Sequence, residues 1–262
     1  MPKEQTLEEE WYEILTEIEP RRSHIYHLFG LLPSSPRCKL CAAPFKGWGG
    51  LLMRMLGREQ SKYNPQFCVP CEKFERPGGA EIDLTMLFAD VRGSTTLAEG
   101  MSPAEFSRLM NRFYSVATRV FVRADGMVDR LLGDEAIGLF IPGFAGEDHS
   151  RRAIEAAQEL LKQMGHHDPQ GPWLPVGVGI HSGLAYVGVV GEKDGPTDFT
   201  ALGDNVNITA RLASQAGSGE ILISDAAYAH AGLDLGILEH RQLELKGKSE
   251  TTGVHVLHAT KD

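Results

Sequence analysis

Long apolar runs are missing from this chain. Nowhere in its 262 residues do the roughly 18–20 consecutive apolar side chains needed to cross a bilayer occur, which predicts no membrane span. A basic leader is missing as well: residues 1–10 are acidic and no apolar stretch follows them, so the expected location is the cytoplasm. Positive charge is in deficit, with 26 Lys and Arg against 35 Asp and Glu and a formal charge of −9. Such a surface repels phosphate backbones, and no basic stripe or aromatic RNA-reading motif offsets it, which argues against nucleic acid as a partner. The 42% hydrophobic and 23% charged content that remains is that of a folded globular protein and excludes a disordered or collagen-like chain.

Cysteine is scarce, and its placement is uneven. All four fall early, Cys38 and Cys41 in C-K-L-C and Cys68 and Cys71 in C-V-P-C. Each C-x-x-C turn directs two sulfurs to one side, so the pair of turns brings four thiolates within reach of one tetrahedral metal ion. Zinc is the expected occupant; an iron–sulfur cluster, a redox dithiol pair and plain core cysteines are the alternatives. The apolar patch Leu51-Leu52-Met53 between the turns can pack but is too small for a core of its own, and a metal would supply the missing stability. Before the turns, Leu7, Trp11, Leu15 and Ile18 recur at helical spacing, which predicts an amphipathic helix over 6–19 that packs on the chain or on a second subunit. His24 and His27 are spare ligand types, unneeded with four cysteines present.

Charge divides the chain in the same place. Residues 1–80 carry 11 basic and 10 acidic side chains, whereas residues 81–262 carry 15 and 25. We therefore divide the chain into a helix within residues 1–30, a zinc-ribbon-like four-cysteine region over 31–77 and a larger domain over 81–260, with Pro77-Gly78-Gly79 as the linker. Beyond it, strands and helices alternate. Strands are predicted over 83–89, 127–132, 136–141, 176–181, 185–190, 220–224, 243–245 and 253–257, with helices over 102–120, 151–164 and 204–213. Ser102-Pro103-Ala104-Glu105 marks a capped helix start. Gly133-Asp134 and Gly183 mark hairpin turns. The order βαββαβ with extra C-terminal strands predicts an α+β, ferredoxin-like sheet with its helices on one face.

Two carboxylates, Asp90 and Asp134, stand at predicted strand ends that a βαββ unit brings to one sheet edge, where they can share divalent ions. The loop from Val91 to Thr96, with Gly93, Ser94 and Thr95, offers backbone N–H groups leading into a helix, although it lacks P-loop spacing. Asn207 and Arg211 lie four apart and share a helix face, an amide to orient a hydroxyl and a guanidinium to offset phosphoryl charge. His181, inside a glycine-flanked strand, reads as structural. Lys248 reads as a solvated loop residue and Asp204 as a helix cap.

Taken together, these residues resemble a known family, the class III nucleotidyl cyclases, over about residues 83–258. The matching motifs are Phe88-Ala89-Asp90-Val91-Arg92-Gly93-Ser94-Thr95, Asp129-Arg130-Leu131-Leu132-Gly133-Asp134-Glu135, Gly179-Ile180-His181-Ser182-Gly183, Phe199 to Leu212, and Leu245-Lys246-Gly247-Lys248. The resemblance implies an enzyme in which Asp90 and Asp134, with the Val91 carbonyl, hold two Mg²⁺ or Mn²⁺ ions. It further implies that Asn207 orients the ribose, Arg211 stabilises the transferring phosphoryl group and Lys246 neutralises the triphosphate. The family's sites lie between two head-to-tail domains, so one copy with all the parts implies a homodimer.

The base-selecting positions of the family fall on Arg130 and Thr200. Thr200 is similar to the threonine type of adenylate-forming member found in the bicarbonate-responsive bacterial branch, whereas Arg130 replaces the usual lysine. Arginine only donates hydrogen bonds and threonine donates or accepts, which suits adenine N1 and its amino group. The expected substrate is ATP, with UTP, CTP or GTP as alternatives and a silent nucleotide-binding domain as a further reading. Ser94 stands where the family often has phenylalanine.

Overall fold

The computed structural model describes residues 6–17, 28–62, 64–72, 77–191, 197–245 and 251–259. Its frame is β1 (Gly78–Val91), β2 (Met127–Leu132), β3 (Glu135–Phe140), β4 (Val176–Gly191), β5 (Thr197–Leu202), β6 (Glu220–Ser224), β7 (Glu239–Glu244) and β8 (Thr251–His258). The sheet order is β2-β3-β1-β4-β6-β8-β7, with β5 on β4. The first four strands are antiparallel neighbours in the 2-3-1-4 order of a ferredoxin-like unit. The C-terminal strands then extend the sheet through the parallel pairing of β4 with β6.

β1 is apolar on both faces because both are covered. Leu87, Ala89 and Val91 enter one core, and Ile82, Leu84, Met86 and Phe88 enter the other. Helices α1 (Leu7–Thr16), α2 (Gly47–Met55), α3 (Val69–Glu72), α4 (Ser94–Glu99), α5 (Pro103–Arg123), α6 (Pro142–Ala145), α7 (His149–Gln163), α8 (Asp204–Gln215) and α9 (Asp225–Ala231) divide between these faces. The first core takes α5, α7 and α9; the second takes α1, the cysteine segment and α8. Helices thus lie on both faces, not one. Gly179 explains how α8 seats so closely, since a Cβ there would stand 2.3 Å from the Ala213 amide nitrogen. Gly203 holds the N-cap position of α8, so Asp204 is its first helical residue rather than its cap. Ser102 and Glu105 form the predicted capping box on α5, and Thr6 and Glu9 form another on α1.

Two predicted breaks turn out to be continuous strand. Gly78 and Gly79 pair with Val189 and Gly188 and so begin β1 rather than link two bodies. Gly183 lies within the 16-residue β4, opposite Leu84, because the Asn205 side chain occupies the space a Cβ would need. The hairpin instead joins β4 to β5, a strand the sequence pattern did not disclose.

The N-terminal elements pack on this sheet. Trp11 stacks on Phe199 and donates from its indole nitrogen to the Pro77 carbonyl, while Leu15 is fully buried. Ile18, His24 and His27 lie outside the described residues. In α2, Met53 is buried, but Trp48, Leu51, Leu52 and Met55 are exposed, as is Leu56 just after the helix.

Thr85 lies at the centre of a buried polar cluster with His149, Ser150 and Ser182, and His230 completes it from α9. Burial, followed by the nearby His230, pushes His149 down to about 4. A histidine held neutral in this way stabilises the fold above the unfolded pKa of 6.5, and that contribution is lost as pH falls toward 4. Between pH 7 and pH 5 the loss should be about 2 kcal/mol. Asp129, pushed up to about 6 mainly by burial, works in the opposite direction over part of this window. Comparing urea unfolding of the wild type with His149→Asn at both pH values therefore isolates the histidine; the variant should show the smaller acid-side loss.

Candidate active site and cysteine cluster

Asp90 and Asp134 arrive together at one end of the sheet. Asp90 is opposite Glu135 in the β1–β3 ladder, and the Val91 amide donates to the Asp134 carbonyl at 3.0 Å. Each carboxylate has one donor from the following loop: Arg92 forms an ion pair with Asp90, and the Ser94 hydroxyl donates to Asp134. The Arg92 guanidinium also donates to the Ser214 carbonyl at 2.8 Å, tying this strand end to the end of α8. Gly93 is left-handed at φ 69° and caps α4, with open space where a side chain would stand. Ser94 and Thr95 then open the helix, so their amides belong to its unsatisfied first turn. Two carboxylates with a neighbouring backbone carbonyl make an all-oxygen set that fits Mg²⁺ or Mn²⁺.

Asn207 is exposed on α8 and Arg211 is half-buried one turn later. The Arg211 Nη1 atom is buried and has no hydrogen-bond partner among the described residues. Among those residues, no hydrogen bond or ion pair joins Asn207 or Arg211 to Asp90 or Asp134. His181 is buried with both ring nitrogens engaged, Nδ1 with Ser224 and Nε2 with Asn205, as a structural histidine should be. Lys246 and Lys248 lie outside the described residues.

Arg130 on β2 and Thr200 on β5 are brought near one another. Arg130 pairs with Asp198 at 3.0 Å, two residues from Thr200. Asp129 is buried beside them, with the Thr200 hydroxyl and the Arg130 charge opposing the effect of burial on its carboxyl. Sequence reasoning passed over Asp129; its one signal was a carboxylate next to Arg130 at a position facing inward.

The four cysteines also converge. Their sulfurs all lie within 4.8 Å of one another, and Cys41 Sγ is 3.7 Å from Cys68 Sγ. A tetrahedron with metal–sulfur bonds of about 2.3 Å has edges of about 3.8 Å, so this spacing suits a single ion and is far from a disulfide. Cys71 and Cys38 are pushed up, chiefly by donating to Cys38 and Cys41 respectively, while Cys68 is pulled down by accepting first from Cys38. Arg58 sets its Nη1 3.6 Å from Cys41 Sγ and close to Cys68 and Cys71, a positive charge placed against a thiolate-rich group.

The cluster is docked onto β2 and its approach. Asn64 uses its amide as a strand edge would, accepting from the Val128 N–H at 2.8 Å and donating to the Val128 carbonyl at 2.9 Å. Gln66 donates to the Gly126 carbonyl, Lys39 to Asp125 and the Phe144 carbonyl, and Phe67 meets Phe144 edge-on.

Comparison with known proteins fits this architecture. Residues 80–259 match the model of the adenylate and guanylate cyclase catalytic domain, and the chain belongs to that family, the nucleotidyl cyclases. It is 29% identical over 189 residues to an adenylate cyclase of Anabaena cylindrica, covering 67% of this chain and 37% of the relative. To adenylate cyclase 1 of Rhizobium meliloti it is 30% identical over 135 residues, half of this chain and 20% of the relative. The chain thus spans little more than a third, or less, of these relatives. Among solved structures it resembles the adenylyl cyclase CyaB from P. aeruginosa at 28% identity and a TM-score of 0.61, covering 70% of this chain and 97% of that one. It resembles the guanylyl cyclase Cya2 almost equally, at 27% identity and a TM-score of 0.60, covering 68% and 93%. Fold likeness alone therefore leaves the base unassigned.

Proposed function

We propose that the chain converts ATP to 3′,5′-cyclic AMP and pyrophosphate at sites shared between two copies. The observation that carries this reading is the meeting of Asp90 and Asp134 at adjoining strand ends, locked by the Val91 amide. Asp90, Asp134 and the Val91 carbonyl would hold two Mg²⁺ or Mn²⁺ ions, which when bound activate the ribose 3′-hydroxyl and steady the triphosphate. The 3′-oxygen attacks the α-phosphorus, its proton passes to water, and the bond to the β-phosphate oxygen breaks.

The chain's own residues bind and orient. The amides of Gly93, Ser94 and Thr95 at the start of α4 face phosphate oxygens. Asn207 holds the ribose, and Arg211, whose Nη1 lacks a partner among the described residues, donates to the phosphoryl group as charge develops there. Lys246 offsets triphosphate charge. Arg130 donates to adenine N1 and Thr200 meets the adenine amino group. The adenylate cyclases among the relatives support ATP over the other triphosphates.

The four cysteines, Cys38, Cys41, Cys68 and Cys71, are assigned to one structural zinc ion. A single-ion sulfur spacing favours this over an iron–sulfur cluster.

The test is to incubate the purified chain with ATP, GTP, UTP or CTP and either Mg²⁺ or Mn²⁺, and to identify products by mass spectrometry. Cyclic AMP is the expected product; a different cyclic nucleotide would reassign the base, and none from any of the four would overturn the enzyme reading. Arg130→Ala should lower kcat/KM for ATP by about 10- to 100-fold, the usual effect of leaving a base acceptor without its donor. Initial rates with each triphosphate measure it.

A further inference from the structure

The C-terminal strands assemble a second set of metal-ligand side chains that the proposed reaction does not use. His240 on β7 and His255 on β8 are direct partners in the antiparallel ladder, so both side chains leave the same face of the hairpin. Directly opposed residues keep their Cβ atoms about 4.5–5.5 Å apart, a separation two imidazoles can bridge through one ion. On the other side of β8, His255 is level with Ile223 of β6, and the chain then turns at Ser224 and starts α9 with Asp225. Three elements thus converge on one spot.

The geometry there is convergent as well. Nε2 of His240 lies 2.9 Å from Asp225 Oδ1, and Nε2 of His255 lies 3.3 Å from the same oxygen. All three ligand atoms fall within 4.8 Å of one another. Two further contacts shape the group. Tyr228, on the next turn of α9, stacks on His255 with ring centroids 4.0 Å apart and holds that imidazole in place. Gly253 makes room for the carboxylate, since a Cβ there would stand 2.0 Å from Asp225 Oδ2. The outer side is open, with Asp225 and His240 roughly half exposed, so water can complete a coordination shell.

We propose that Asp225, His240 and His255 form a binding site for a divalent transition-metal ion, zinc by preference, separate from the cysteine cluster and from Asp90 and Asp134. Two imidazoles and one carboxylate are ligands that zinc accepts at a three-residue open site, whereas Mg²⁺ takes oxygen ligands and keeps its waters. The ion would clip β7, β8 and α9 together.

A hydrogen-bonded His–Asp–His group without an ion is the competing arrangement, and metal stoichiometry separates the two. The full chain, purified with its cysteine site filled, is titrated with Zn²⁺ in the presence of Mg²⁺ by calorimetry, and bound zinc is measured after gel filtration. The wild type should retain one more zinc per chain than the His240→Ala/His255→Ala variant, and zinc should raise the unfolding temperature of the wild type alone. Asp225→Asn, which keeps a hydrogen-bond acceptor for both imidazoles, should weaken the added zinc by about tenfold or more. His240→Asn, at an exposed position of β7, serves if the double variant does not fold. Equal zinc content in the wild type and either histidine variant overturns the proposal.

Discussion

Asp90→Ala and Arg211→Ala should each abolish cyclic nucleotide formation when purified alone, yet recover activity when mixed. If the metal carboxylates of one copy serve the Asn207 and Arg211 of the other, a mixed dimer keeps one intact site and one doubly damaged site. Random pairing in an equal mixture makes half of the dimers mixed, so the recovered rate should be about one quarter of the wild-type rate. The absence of an internal hydrogen bond or ion pair between these two groups, among the described residues, and the unpartnered Nη1 of Arg211 motivate this expectation. Activity measured against the fraction of mixed dimers, determined by native mass spectrometry, checks it. Mixed dimers without activity would place each site within one chain.

The second large effect is expected at the cysteine cluster. With zinc bound there as proposed, its removal by a strong chelator, or replacement of Cys68 by serine, should lower both stability and turnover, although no cysteine lies among the candidate catalytic residues. The route is physical. The segment has too few apolar side chains to hold itself together, and it contributes Phe67, Met53 and the cysteines to a core shared with β1 and β3. It also holds β2 through Asn64, whose two hydrogen bonds end at Val128, where the β2–β3 register shifts before Arg130. Asn64→Ala leaves a buried N–H and a buried carbonyl without partners, which costs on the order of 2–4 kcal/mol. For a chain of this size that corresponds to a fall in unfolding temperature of about 5–15 °C. Calorimetry should show that loss, and kcat/KM should fall most for the triphosphate whose base Arg130 reads. An Asn64→Ala variant with wild-type stability would show that the cluster does not support β2.

Several of these features were legible in the residue order. The two C-x-x-C turns, the Ser102 capping box, the Asp90 and Asp134 pair and the βαββαβ order all follow from short-range rules of turn geometry, helix capping and hydrophobic period. What escaped notice was long-range. β5 carries Thr200 yet has no alternating pattern, because Phe199 and Ala201 pack on Trp11 and the second core while Thr200 turns inward toward Asp129. Gly78, Gly79 and Gly183 look like breaks, but Gly79 and Gly183 lie where another segment comes too close for a side chain, and Gly78 holds a positive φ of 110°.

By itself the sequence determined the family and the βαββαβ order of its central elements, because these depend on residue type and spacing. Only the tertiary structure decided that helices cover both faces of the sheet, that Asn64 fastens the cysteine segment to the strand bearing Arg130, and that His240, His255 and Asp225 meet. Each of those pairings joins residues whose separation along the chain says nothing about their distance in space. Strand register and the close approaches permitted by glycine bring them together.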